Sequence, residues 1–204
     1  MILKILKRIH IIFKYSYLQL IISKKNLFFF ILPNLFKIIC NKVDYKNTPT
    51  CSQKTFLTGA GTIQIGKNCA FGFKLGGFNR GGSVEIQPRY KDAKIIIGDN
   101  VATNNNVFIC AANYIKIGDN TLFGQNVFII DYEAHNIDPL KRKEVGEIGV
   151  VIIGKNVWFG NNVTVLKNTE IGDNTIVATG AVVIGKFPNN VIIGGIPAKI
   201  IKHL

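Results

Sequence analysis

Large apolar residues recur at every sixth position between Ile153 and Val183: Ile153, Phe159, Val165, Ile171, Val177 and Val183. Four places after each of the first five stands a small or β-branched residue, Val157, Val163, Thr169, Thr175 and Ala181, and Asn156, Asn162 and Asn174 mark the turns between them. A six-residue recurrence is neither a helical nor a strand period. A short strand followed by a tight corner produces it. Three such sides close a triangular coil, and stacked coils bury their apolar residues in one continuous core. The spacing therefore commits this part of the chain to an all-β solenoid.

The same register extends upstream. Ile97-Gly98-Asp99-Asn100-Val101 opens a run through Thr103, Val107 and Ile109, and Ile117, Phe123 and Ile129 resume it after an insertion at Asn113-Tyr114. An earlier coil starts around Ile65, with Cys69 and Phe71, and residues 41–60 read as a linker and an entry strand. The Gly-rich residues 76–82 have no strand–loop–helix frame around them, so they read as a bulging corner and not as a phosphate loop. Between residues 131 and 150 the pattern stops. This charged segment reads as a loop ejected from the prism, and loops on rigid scaffolds are where function concentrates. After Val183 come a last strand and a basic tail.

The net charge of +13 is unevenly placed: residues 1–50 carry nine lysines and arginines against Asp44 alone, so +8 of the total lies there. The division is therefore a basic, apolar arm over residues 1–45 and a prism over 46–204. Lys14, Lys24 and Lys25 interrupt the apolar runs, and the charge-free stretch 26–36 is shorter than the roughly 20 residues a spanning helix needs. Two readings of the arm remain open. In one, residues 11–13 and 27–32 dip into a membrane interface while lysines meet anionic head groups. In the other, the arm is a helix packed on the prism or on a neighbouring subunit. The concentration of cations favours the membrane. Cys40, Cys51, Cys69 and Cys110 show no paired spacing, which suggests reduced thiols in a cytoplasmic setting and no zinc site.

Outside the arm the only histidines are His135, in the ejected loop, and His203. An imidazole near neutral pH takes a proton from a hydroxyl and gives it back, and a nearby carboxylate or carbonyl fixes its tautomer. No serine follows Ser83, so an acyl-serine intermediate built on this loop is disfavoured. Direct transfer between two bound substrates, with His135 as base, is simpler. Convergent histidines for a metal are lacking, and no metal is expected.

Three motifs carry a resemblance: Ile97-Gly-Asp-Asn with Asn104 and Asn106; Asp131, His135 and Asp138 in the ejected loop; and Ile153-Gly-Lys-Asn-Val-Trp158-Phe-Gly160 running on to Gly194-Gly-Ile-Pro197-Ala-Lys199. Together they resemble the hexapeptide-repeat acyltransferases, in particular the sugar O-acetyltransferase branch that includes polysaccharide-decorating enzymes. The resemblance implies a left-handed parallel β-helix, a homotrimer, and acetyl-CoA bound between adjacent prisms as acyl donor. It places His135 as catalytic base with Asp131 in the same loop, and Asn104 with Asp138 near the acceptor. The backbone N–H of Asn161 becomes the oxyanion donor. The CoA arm runs along Trp158, Gly160, Ala178, Thr179 and Gly180, and Lys199 and Lys202 face its phosphates. Where the family has Val-Thr-Lys-Asp-Ile-Pro, this chain has Val183-Ile184-Gly185-Lys186-Phe187-Pro188, so its lysine is displaced by one place. The implied activity is acetyl transfer to a sugar hydroxyl of a surface glycan or its lipid-linked precursor, at the cytoplasmic face of the membrane. Rival readings are an amino-sugar N-acyltransferase, an antibiotic acetyltransferase, and a non-catalytic trimeric scaffold.

Overall fold

The computed structural model describes residues 24–77 and 81–204, so the expected interfacial residues 11–13 lie outside the described part. The chain winds a left-handed parallel β-helix whose three faces are sheets of seven, eight and six strands. Inward positions stack in register. On the first face Ile65, Ile97, Ile117, Ile153, Ile171 and Phe187 form one column. On the second, Phe123 lies over Phe159 with ring centroids 4.8 Å apart and planes at 2°. On the third, Ile109, Ile129, Val165 and Val183 continue the pile. The six residues that define the repeat are all buried, as a solenoid core requires.

Corners are turned by asparagines. Asn100, Asn120, Asn156 and Asn174 hold φ between 54° and 60°, a left-handed conformation that asparagine tolerates better than other side chains. Their amides also bond coil to coil, Asn100 Nδ2 to Asn120 Oδ1 at 3.0 Å and Asn156 Nδ2 to Asn174 Oδ1 at 2.9 Å. A second such ladder climbs the next corner through Gln53, Asn106, Asn126 and Asn162.

The prism starts earlier than the repeat pattern implies. Val43–Tyr45, Thr50–Cys51 and Lys54–Leu57 make a complete coil where the sequence suggested a linker and an entry strand. This coil lacks the Gly-x-Asn corners of the later ones.

Residues 24–39 run helically, through a π turn over Leu27–Ile31, a 3-10 turn over Leu32–Asn34 and an α turn over Leu35–Ile39. One side of this segment plugs the open end of the prism. Phe30 enters the core. Asn34 donates from Nδ2 to the Thr55 carbonyl at 2.7 Å and accepts the Leu57 N–H at 2.6 Å. Asn26 Oδ1 accepts the Cys51 N–H at 3.0 Å, and Lys37 Nζ donates to the carbonyls of Thr58 and Gly59 at 2.5 and 2.7 Å. Thr50–Cys51 and Lys54–Leu57 are edge strands of their sheets. Their outward backbone groups would otherwise lie unpaired, a template for aggregation. At the far end Ala198–His203 folds back antiparallel on Val191–Gly195. Among the described residues no helix is long and apolar enough to cross a membrane.

Candidate active site

The corner between the second and third faces brings most of the expected binding residues into one column. Gly180 N–H donates to the Asn161 carbonyl at 2.9 Å, and Asn161 Oδ1 accepts the Gln125 N–H at 2.9 Å one coil earlier. Asn104 stands one coil before Gln125, its N–H bonded to the Phe123 carbonyl at 2.8 Å. Two glycines keep this edge open. A Cβ on Gly160 would sit 2.6 Å from Thr179 N, so the coils could not close there. Gly180 takes φ 76° at the place where Asn162 turns the preceding coil, and it ends the amide ladder without covering the edge. The N–H groups of Asn161 and Thr179 have no acceptor among the described residues. A fixed, unpaired backbone donor on an open edge is what stabilisation of a developing oxyanion needs.

Trp158 is 54 % exposed and stands on the second face between Leu122 and Ile176 in strand register. Ala178 packs beside Gly194, and the antiparallel tail brings Lys199 alongside Gly194 and Lys202 alongside Ile192. Both lysines are exposed and without a carboxylate partner among the described residues. The Gly-rich excursion leaves from the same corner. Buried Asn105 holds it down, accepting the Phe73 N–H at 2.8 Å and donating to the carbonyls of Phe73 and Gly77 at 3.0 and 2.9 Å. The backbone at Gly76 therefore lies against the Asn104 amide.

His135 sits elsewhere, on the ribbon ejected at the corner between the third and first faces. The ribbon is paired: Tyr132 bridges Ile148, Glu133 exchanges backbone bonds with Glu147 and Gly146, and Asn136 N–H bonds to the Glu144 carbonyl at 2.8 Å. His135 Nδ1 lies 2.8 Å from the Arg142 carbonyl. A carbonyl only accepts, so Nδ1 carries the hydrogen and donates it, and Nε2 presents a lone pair outward. Lys167 on the next coil lies 3.4 Å from Glu133 Oε1 and in closer contact with Glu147, tying the root of the ribbon to the prism. That contact holds the Glu147 carboxyl below its usual range.

Asp131 does not meet His135. Its carboxylate is buried and accepts the N–H groups of Ala112, Asn113 and Tyr114 at 2.6, 3.0 and 2.7 Å. Burial pushes its pKa up while those three bonds pull it down. It thereby fixes the insertion at Asn113-Tyr114. Asp138 is the cap of the 3-10 turn Pro139–Lys141, accepting the Leu140 N–H at 2.9 Å. Sequence reasoning missed Arg142, which acts through its backbone carbonyl and so leaves no side-chain signal. It also missed Lys167 and Gln125. Within one protomer the ribbon and the open edge occupy different corners of the prism.

A left-handed β-helix built on six-residue repeats is the fold of the hexapeptide-repeat class. The family model for bacterial transferase hexapeptides (six repeats) matches residues 151–185. A protein of Escherichia coli (strain K12), provisionally named a lipopolysaccharide biosynthesis O-acetyl transferase, WbbJ, is 33 % identical over 81 % of this chain and 84 % of its own length. The crystal structure of a hexapeptide-repeat acetyltransferase from Vibrio cholerae is 32 % identical over 54 % of this chain and 62 % of that one, with a TM-score of 0.51. A galactoside acetyltransferase, solved in complex with coenzyme A, shares the fold at a TM-score of 0.52, with 20 % identity over 83 % of this chain and 68 % of its own. The chain belongs to the hexapeptide-repeat acyltransferase family, a class of transferase enzymes.

Proposed function

We propose that this protein is an acetyl-CoA-dependent O-acetyltransferase that modifies a sugar hydroxyl in a surface glycan or its lipid-linked precursor, at the cytoplasmic face of the membrane. The observation that carries the reading is the His135 tautomer: Nδ1–H is committed to the Arg142 carbonyl, so Nε2 is free to accept a proton. His135 Nε2 takes the proton of the sugar hydroxyl as its oxygen forms a bond to the thioester carbonyl carbon. The Asn161 N–H donates to the carbonyl oxygen as it becomes an oxyanion. When the intermediate collapses, the carbon–sulfur bond breaks, and His135 returns its proton to the departing CoA thiolate. No covalent enzyme intermediate is required.

The residues fit the donor. Trp158 offers an apolar wall, Gly160 and Gly180 allow close approach to the backbone, and Lys199 and Lys202 present point charges to phosphates. Asn104 has an amide nitrogen without a partner among the described residues and serves as a donor to the acceptor sugar. Because ribbon and open edge lie on different corners, the reaction is completed in a homotrimer, where the ribbon of one subunit faces the edge of the next.

The test is release of CoA thiol from acetyl-CoA with hydroxyl sugars and amino sugars offered in parallel. O-acetyl product formed only with hydroxyl acceptors supports the reading. Preference for the amine would make the protein an N-acyltransferase, and no thiol release with any acceptor would leave a scaffold.

A further inference from the structure

The plug at the prism end has a second side. Asn26, Phe30, Asn34 and Lys37 point inward, and the opposite side carries Phe28, Phe36 and Ile39 at 59, 82 and 68 % exposure, with Leu32 and Leu35 between them. Beside this apolar side opens a cleft of about 760 Å³, walled by Lys25 and Phe29 of the arm and by Ser52, Lys54, Lys74 and Ser83 of the prism. No carboxylate lines it, and none of the three lysines has an ion-pair partner among the described residues. Lys25 instead lies 5.8 Å from the Phe29 ring centroid. Residues 1–43 contain no aspartate or glutamate at all.

We propose that this end of the prism docks on an anionic bilayer, with the phosphate groups of lipid heads in the Lys25–Lys54–Lys74 cleft and Phe28, Phe36 and Ile39 in the outer acyl layer. The chemistry of each part selects that occupant. Three unpaired ammonium groups beside two serine hydroxyls match phosphate oxygens. Large apolar side chains next to them match the boundary of head group and acyl chain. A second copy of the chain would bring an equally cationic arm against this one, and like charges in contact oppose that pairing. Nucleic acid would satisfy the lysines and leave the exposed phenylalanines in water.

The arm's packing on the prism and its membrane contact are thus compatible, because they use opposite sides of one helical segment. Rigid attachment through Asn34 and Lys37 gives the docked enzyme a fixed orientation on the bilayer. The inference rests on the membrane-side placement proposed above and not on the acyl-transfer chemistry, so the two are measured separately.

The experiment is co-sedimentation of the full chain with phosphatidylglycerol vesicles and with phosphatidylcholine vesicles, at low and high salt, without acetyl-CoA. Binding to the anionic vesicles is expected, weakening as salt rises. Each of Lys25→Gln, Lys54→Gln and Lys74→Gln should lower the partition coefficient about fivefold, and the triple variant on the order of 100-fold. Phe28→Ser with Phe36→Ser should weaken binding to both vesicle types by about tenfold or more. Turnover with a soluble sugar acceptor and the thermal melt should stay unchanged in all of these variants. Full-length protein that ignores anionic vesicles at low salt overturns the proposal. So does binding that survives the triple lysine variant, complete displacement by inorganic phosphate at an ionic strength where chloride leaves the protein bound, or concentration-dependent self-association abolished by Phe36→Ser. Loss of acetyl transfer with vesicle binding intact would count against the enzymatic reading alone.

Discussion

Asn34→Leu should detach the N-terminal plug while leaving the β-helix formed. Asn34 is 3 % exposed, and its amide pairs with the Thr55 carbonyl, the Leu57 N–H and the Phe30 carbonyl at 2.7, 2.6 and 2.6 Å. Leucine keeps the approximate volume but leaves an edge-strand donor and an edge-strand acceptor without partners. Each buried unsatisfied group costs about 1–3 kcal/mol, and partial opening to water brings the pair to a total of roughly 3 kcal/mol. For a chain of this length that corresponds to a melting temperature lower by about 6–12 °C. Urea denaturation and a thermal melt read the loss directly, and trypsin should cut faster at Lys24, Lys25 and Lys42. Phe36→Ser, at 82 % exposure, is the control and should change stability by about 0.5 kcal/mol at most. A loss below about 1 kcal/mol in Asn34→Leu, with unchanged proteolysis, would show that the sheet edges do not depend on this amide.

Burial drives the Lys37 ammonium from the usual 10.5 down to about 8. The unfolded chain therefore holds that proton more tightly, so stability should rise with pH between about 8 and 10.5, by an amount on the order of 1–3 kcal/mol. Lys37→Met should lack this rise when urea midpoints at the two ends of the window are compared. Of the four thiols only Cys40 is exposed. It alone should react quickly with a thiol reagent in the native protein, while Cys51, its thiol pushed up to about 12 by burial, waits for unfolding. Lys167→Met should loosen the ribbon and lower turnover by about 3–20-fold without changing CoA affinity, with partial rescue in Lys167→Arg. Equal turnover in all three proteins would remove Lys167 from the positioning of His135.

The six-residue period is legible because most sides after Ile97 obey the same local rule: an inward residue, usually Ile, Val or Phe, then a corner turned by an asparagine or glycine in the left-handed region. Asn100 and Asn156 announce those corners by their residue type. The ejected ribbon is legible from the same rule failing at Asp131. The coil formed by Val43–Tyr45, Thr50–Cys51 and Lys54–Leu57 is not, because its first corner uses Asn47 and Pro49, its second Ser52 and Gln53, and neither carries the Gly-x-Asn signature. The two sides of the arm were legible in part. Asn26, Phe30, Asn34 and Lys37 stand at helical spacing, but a buried lysine and a buried asparagine, Lys37 and Asn34, read from sequence as solvated residues. The polar inner side is stable only because it meets the unpaired edge of a sheet, and that is a property of the assembled prism. Asp131 shows the same limit: a carboxylate four residues before a histidine is expected to serve the same site, and the fold gives it three backbone amides instead.

The most direct measurement is the turnover of His135→Ala beside the parent protein, with acetyl-CoA as donor and a panel of hydroxyl-bearing sugars as acceptors. His135 lies on an exposed ribbon outside the core, so the variant should keep its melt, its oligomeric state and its CoA affinity. If Nε2 is the proton acceptor, kcat should fall by roughly 10²–10⁴. Unchanged kcat in a folded His135→Ala protein would contradict general-base catalysis by this histidine.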